Sequence, residues 1–196
     1  MSEGKLFLFC GPSGSGKTTI VHHLLKTDPR LAFSVSATTR TKRDNEIDGV
    51  DYHFITTDEF RKRIDSGDFI EWEEVYKGRY YGTLHSEINK IWENGKVPIF
   101  DVDVEGGLKI KNEFVSSLLA VFVRPPSGEE LRKRLIARNS ETPESYKARI
   151  EKSEHELSYA FRFDKIIVND DLKFALKEAR IIVNDFLDDD SRSAKS

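Results

Sequence analysis

The residues from Gly11 to Thr18 read GPSGSGKT, a G-x-x-x-x-G-K-T pattern, directly after the apolar run LFLFC and directly before the helically spaced Ile20, Val21, Leu24 and Leu25. Glycines at these positions let backbone N–H groups turn inward around an anion, and a helix N-terminus adds partial positive charge. Lys17 can reach the terminal phosphates of a nucleotide, and the Thr18 hydroxyl can ligate Mg²⁺. The pattern implies a nucleoside triphosphate but not what is done with it. Further along, TTRTKR gathers Arg40, Lys42 and Arg43, either as forked clamps for a second phosphate or as a solvated basic loop. Asp101 and Asp103 follow the apolar VPIF, where ligands sit in open α/β sheets. Asp101 is placed to hold Mg²⁺ directly or through water, and helix capping is the alternative for the pair. Arg134 and Arg138 are four apart, so they share a helix face, with Arg149 beyond the next turn. Arg132, Lys133 and Arg134 also have glutamates within reach for surface ion pairs. A basic hairpin of this kind suits phosphoryl transfer, in which cations must neutralise the migrating group.

Strands and helices must carry these groups. Apolar runs at Leu6–Cys10, Val97–Val102, Leu118–Val123 and Lys165–Val168 predict strands, with helical segments between them, so a parallel sheet of βαβ units is expected. The interval from Phe33 to Tyr81 is polar, with short alternating stretches such as YHFI and FIEW, and reads as an inserted mixed subdomain. Pro125 to about Lys152 reads as a second insertion, helical and dense in Arg and Glu. Ser127 and Glu130 form a capping box there, and Thr142-Pro143 an N-cap followed by proline. The terminal DDDSRSAKS is too polar to pack and is expected to be disordered.

Composition narrows the class. The chain has 196 residues, 38 % of them hydrophobic and 33 % charged, which fits one α/β domain with insertions. A net charge of −3 argues against duplex nucleic-acid binding, so positive charge must be local. The single cysteine, Cys10, excludes an internal disulfide and reads as a buried apolar residue. No signal peptide or membrane span is apparent, and a cytoplasmic protein without membrane contact is expected.

Taken with FSVSATTRTKR, GVDYHF, FIEW, RYYGT, FDVDVEGG and VNDD in this order and spacing, the chain resembles the guanylate kinases, P-loop nucleoside monophosphate kinases, from about Lys5 to Phe186. The resemblance implies an α/β fold: a P-loop NTPase core with a five-stranded parallel sheet (about 1–35, 87–126 and 155–190), a mixed GMP-binding insertion (about 36–86) and a helical lid (about 127–154), the tail being 188–196. It implies that Gly11, Ser13, Gly14, Ser15, Gly16, Lys17, Thr18 and Thr19 hold the ATP phosphates and that Asn169 and Asp170 lie by the adenine. Ser36, Glu71, Thr83 and Asp103 would meet the guanine, whose N1–H and N2–H₂ suit carboxylates and whose O6 suits hydroxyls. Arg40, Arg43, Tyr52 and Tyr81 would surround the GMP phosphate. Lys17, Arg43, Arg138 and Arg149 would serve the transition state, and Thr18 and Asp101 the metal. Thr83 stands where many members have serine, and Lys42 where proline is common.

The reaction so implied passes the γ-phosphoryl group of Mg·ATP to GMP, and to dGMP, without a general base, because the acceptor is already an anion. Two rivals remain: a phosphopeptide-binding relative that has lost catalysis, against which Lys17, Arg138 and Arg149 argue, and a kinase for another phosphorylated acceptor, which Glu71 with Asp103 disfavours. Monomer and homodimer are equally open.

Overall fold

The apolar run LFLFC becomes the middle of the molecule. In the computed structural model, which describes residues 4–137 and 143–189 apart from the side chains of 76, 137 and 143–149, β1 (Leu6–Cys10) is buried at every position. After it come α1 (Lys17–Thr27), β2 (Leu31–Phe33), β3 (Ala37–Thr38), β4 (His53–Phe54), α2 (Thr57–Asp65), β5 (Phe69–Tyr76), β6 (Arg79–Leu84), α3 (His85–Glu93), β7 (Val97–Asp101), α4 (Val104–Glu113), β8 (Leu118–Arg124), α5 (Gly128–Ala137), α6 (Pro143–Leu157), β9 (Lys165–Val168) and α7 (Leu172–Asp188). The order β2-β7-β1-β8-β9 makes a five-stranded sheet in which every pair is parallel.

Side chains alternate along β1 with a period of two. Phe7 and Phe9 pack with Ile20, Val21 and Leu24 of α1 and Ala179, Val183 and Phe186 of α7. Leu6, Leu8 and Cys10 pack on the other side with Ile88 of α3 and Val104 and Ile110 of α4. Helices on both faces therefore explain why the strand is apolar throughout. Truncating Phe9, wholly buried, to alanine would cost about 3–5 kcal/mol in lost burial and cavity. The fifth strand, which periodicity alone did not reveal, is β2. It pairs Leu31 with Val97 and Phe33 with Ile99, but three residues are too few to show alternation.

A second sheet, ordered β4-β3-β6-β5, is mixed: β3 and β4 are parallel, the other pairs antiparallel. It has its own small core, in which Phe60 of α2 stacks on Phe69 at 4.3 Å and lies 5.3 Å from Tyr80. β6 runs directly into α3, whose Ile88 belongs to the main core, so the two sheets share a continuous element. The Ser127 hydroxyl accepts from the Glu130 N–H at 3.1 Å, while the Glu130 carboxylate accepts from Arg134 rather than closing the capping box. Arg132, Lys133 and Arg134 pair with Glu154, Glu129 and Glu130, the surface pairing that their spacing allowed. α6 opens at Pro143; Thr142 and the tail from 190 onward lie outside the described residues. Among those residues no helix is long and apolar enough to cross a membrane.

Candidate active site

The loop between β1 and α1 is built to leave polar backbone unfilled. Gly16, the residue before α1, has φ +91°, a left-handed conformation that strains any side chain. α1 has neither a side-chain cap nor an acidic residue of its own in its first turn, so nothing within the helix offsets the positive end of its dipole. Phe9 of β1 is in register with Asp101, the last residue of β7, which brings that carboxylate beside the loop. The Thr18 hydroxyl donates to Asp101 Oδ2 at 2.5 Å, and Lys17 Nζ lies 3.6 Å from Oδ1. Hydroxyl and carboxylate oxygens are the hard donors that Mg²⁺ prefers, so Thr18 and Asp101 fit such an ion. Ser13 is half-buried, Thr19 exposed and Ser15 fully buried. Gly14 sits under α5, where an added Cβ would come within 3.3–3.4 Å of Leu135 and Leu131. Asn169, on the turn after β9, is buried, and its Nδ2 donates to the Ser15 carbonyl at 2.8 Å; Asp170 is exposed.

A cleft of about 260 Å³ opens between the second sheet and the end of β7, lined by Ser36, Tyr52, Glu71, Tyr81, Asp101 and Asp103 together with Glu73, Val75 and Gly106. Glu71 on β5 accepts from the Thr83 hydroxyl at 2.8 Å. Thr83 is wholly buried, so it stands behind Glu71 and aims that carboxylate. Burial pushes the Glu71 pKa above the ordinary glutamate value, with the Thr83 hydrogen bond opposing. Asp103 caps α4, accepting from the Gly106 N–H at 3.0 Å, and also faces the cleft, so capping and cleft-lining coexist in one residue. A Cβ on Gly106 would lie 3.3 Å from both Glu71 Oε2 and Asp103 Oδ1; the missing side chain lets two carboxylates converge. A Cβ on Gly107 would lie 2.3 Å from Cys10 Sγ, which donates to the Asp103 carbonyl at 2.9 Å. Burial drives that thiol's pKa well upward, so it stays protonated.

At the outer end of the cleft Arg40 lies over the rings of Tyr52, at 5.0 Å, and Phe54, at 5.4 Å. Its guanidinium binds Glu46 in a fork, Nη1 donating at 2.6 Å and Nη2 to the other oxygen. Glu46 also accepts from the Arg43 N–H at 2.8 Å, and its carbonyl accepts from Lys42. Arg40 and the Arg43 N–H hold the Glu46 carboxyl down to about 2. Tyr52 and Tyr81 meet edge to face at 6.0 Å, while Arg43 is exposed. Burial and Tyr81 push the Tyr52 hydroxyl above its ordinary value, which keeps it a donor.

From the helical hairpin, Lys152 of α6 reaches within 3.5 Å of Asp103 Oδ2 and 3.8 Å of Glu156 Oε1. Glu156 is 7 % exposed, and burial pushes its pKa up to about 7 despite Lys152. Arg138 and the side chain of Arg149 lie outside the described residues. The sequence reading missed Glu46, Glu73, Val75 and Lys152. Glu46 had a weak local signal, a glutamate six residues past Arg40 and flanked by Asp44 and Asp48; Lys152 had none, because only the packing of α6 brings it to Asp103.

Comparison with known proteins points to one family. The family model for guanylate kinase matches residues 3–186. Guanylate kinase of Bacteroides thetaiotaomicron is 50 % identical over 184 residues, covering 94 % of this chain and 90 % of that protein. Guanylate kinase of Salinibacter ruber is 46 % identical over 187 residues, covering 95 % and 99 %. The crystal structure of guanylate kinase from Anaplasma phagocytophilum superimposes with a TM-score of 0.74 at 26 % identity, covering 98 % of this chain and 90 % of that one. With the family model spanning almost the whole sequence, and relatives near half identity over the same length, this chain belongs to the guanylate kinase family.

Proposed function

We propose that the chain transfers the γ-phosphoryl group of ATP to the phosphate of GMP or dGMP, giving ADP and the corresponding diphosphate. The observation that carries this reading is the double placement of Asp101, which touches Lys17 and Thr18 of the phosphate loop and also lines the carboxylate-bearing cleft. One strand end thus serves both substrates, so the two phosphate chains meet there.

In this reading Gly11 to Thr19 cradle the ATP phosphates, and the Thr18 hydroxyl and Asp101 carboxylate would hold Mg²⁺, which would supply positive charge to offset that of the phosphates. Glu71 and Asp103 accept hydrogen bonds from the guanine N–H groups, Ser36 lies beside the base, and Thr83 keeps the Glu71 carboxylate aimed. Arg40, Arg43, Tyr52 and Tyr81 bind the GMP phosphate, which then needs no base to act as nucleophile. Lys17 and Arg43, with Arg138 and Arg149 from the hairpin, neutralise charge on the migrating group. Closing the cleft and the hairpin over both nucleotides excludes water that would otherwise hydrolyse ATP. A cytoplasmic location goes with this reading of the substrates.

The test is ADP release from Mg·ATP with GMP, dGMP, AMP, UMP and ribose phosphates in turn. Release with the guanine nucleotides and near-background rates with the rest is the expected result. Equal release with AMP would overturn the roles of Glu71 and Asp103, and silence with every acceptor would overturn the transfer.

A further inference from the structure

We propose that Asn169 is a positioning residue that sets the shape of the phosphate loop, rather than a contact for the donor's base. Its side chain is not offered to solvent. The residue is 5 % exposed, and Nδ2 donates to the Ser15 carbonyl at 2.8 Å in a bond buried from water. The two partners stand 154 positions apart in the chain, so the contact exists only because β9 completes the sheet.

The geometry of the peptide unit gives that bond its consequence. The Ser15 carbonyl and the Gly16 N–H belong to one planar trans peptide, in which C=O and N–H point in opposite directions. Holding the carbonyl on Asn169 therefore aims the Gly16 N–H away from Asn169 and across the loop. Gly16 makes the seat: a Cβ there would lie 2.2 Å from Asn169 Nδ2, so glycine is needed for the clamp as well as for its φ of +91°.

Asn169 is itself held from two directions. Its N–H donates to the Arg124 carbonyl at 2.8 Å, extending the β8–β9 ladder by one residue. Its carbonyl accepts from Arg134 Nη2 at 3.0 Å, and that guanidinium is fixed on Glu130 at 2.8 Å. The end of the sheet and the helix α5 thus converge on one amide, which passes their position to the loop. An exposed asparagine reading a base would need none of these restraints.

The inference rests on reading Gly11 to Thr18 as the site of the ATP phosphates but not on the identity of the acceptor. It is tested by binding, with the full chain and Mg²⁺ present, using ATP, UTP and inorganic tripolyphosphate as probes. Asn169→Ala should weaken all three by the same factor, roughly tenfold for one lost buried hydrogen bond, and leave the KM for GMP unchanged. Asn169→Asp keeps the side chain's size but turns an acceptor toward the Ser15 carbonyl. Its tripolyphosphate affinity relative to that of wild type at the same pH should recover as the pH is lowered from about 8 to about 6 and the carboxyl regains a proton to donate. Weakening of ATP alone, unchanged binding of all three probes, or an Asn169→Asp variant without acid recovery would overturn the proposal. A wild type that binds ATP but not tripolyphosphate would overturn the phosphate-loop reading, and the proposal with it.

Discussion

A carboxyl group accepts hydrogen bonds from a base most strongly, and with both oxygens, when ionised, and Glu71 is harder to ionise than an exposed glutamate. Burial raises its pKa, and the Thr83 hydroxyl opposes that rise by donating to the charged form. The KM for GMP should accordingly climb as the pH falls through this raised value, at a higher pH than an ordinary carboxylate would give. Thr83→Ala should move the acid limb further up, because the charged form loses its donor. A pH profile of kcat/KM for GMP in both proteins checks this; coincident limbs would remove Thr83 from the role. Glu46 works through another residue, because it fixes the Arg40 guanidinium in a fork over Tyr52. Freed from that partner, Arg40 regains rotamers that phosphate binding must freeze again. Glu46→Ala is expected to raise the KM for GMP roughly tenfold with the KM for ATP unchanged, as initial rates would show. Residues at this scale were legible where the signal is contiguous. Lys17 and Thr18 are adjacent in a pattern that also fixes their backbone, and Asp101 ends an apolar run. Glu46 and Asn169 were not given these contacts, since each depends on a partner delivered by the fold.

Between residues and the molecule stands α6, which lays Lys152 against Asp103 and buries Glu156 beside it. Burial raises the Glu156 pKa from 4.5 to about 7, with Lys152 and Lys17 opposing and the Asp103 and Glu105 carboxylates reinforcing. The folded state thus binds this proton more tightly than the unfolded chain does. The stability it confers is fully present below the unfolded value and is lost as the pH rises through about 7. The loss is on the order of 3 kcal/mol. Urea unfolding at pH 5.5 and pH 8 should show wild type losing stability with rising pH relative to Glu156→Gln, which cannot ionise; parallel curves would mean that Glu156 is not held as described. Such a coupling was invisible in the sequence, where Lys152 and Glu156 are simply one helical turn apart and nothing local says that Glu156 is buried. Strands were easier. β1, β7 and β8 declared themselves as apolar runs because helices cover both faces of the sheet, and β9 as a short apolar run at its edge, buried only at Ile167. By contrast β2, β3 and β4 are only two or three residues long, and tertiary pairing rather than local pattern makes them strands.

Over the whole molecule, the decisive feature is that the phosphate loop and the cleft have different chemistry and that, among the described residues, Asp101 belongs to both. The loop offers N–H groups, Lys17 and two hard oxygens for a cation, whereas the cleft offers carboxylates, hydroxyls and the fork of Arg40. In the proposed reading guanine and its phosphate are met by protein groups alone, so GMP should bind without a divalent ion. In the same reading ATP would depend on Thr18 and Asp101, whose carboxylate would repel the phosphates unless a cation stood between them. Chelation with EDTA is therefore expected to abolish ADP release and to weaken ATP binding while leaving the Kd for GMP within about twofold. Asp101→Asn should behave differently from chelation. It removes the repulsion along with a metal ligand, so ATP affinity falls less than turnover does, and raising Mg²⁺ restores part of the rate. Isothermal titration of each nucleotide with and without Mg²⁺, alongside initial rates, separates these effects. If EDTA weakened GMP as much as ATP, the cation would reach into the cleft and the two sites would not be chemically separate; if it weakened neither, the pairing of Thr18 and Asp101 would have to be a structural contact only.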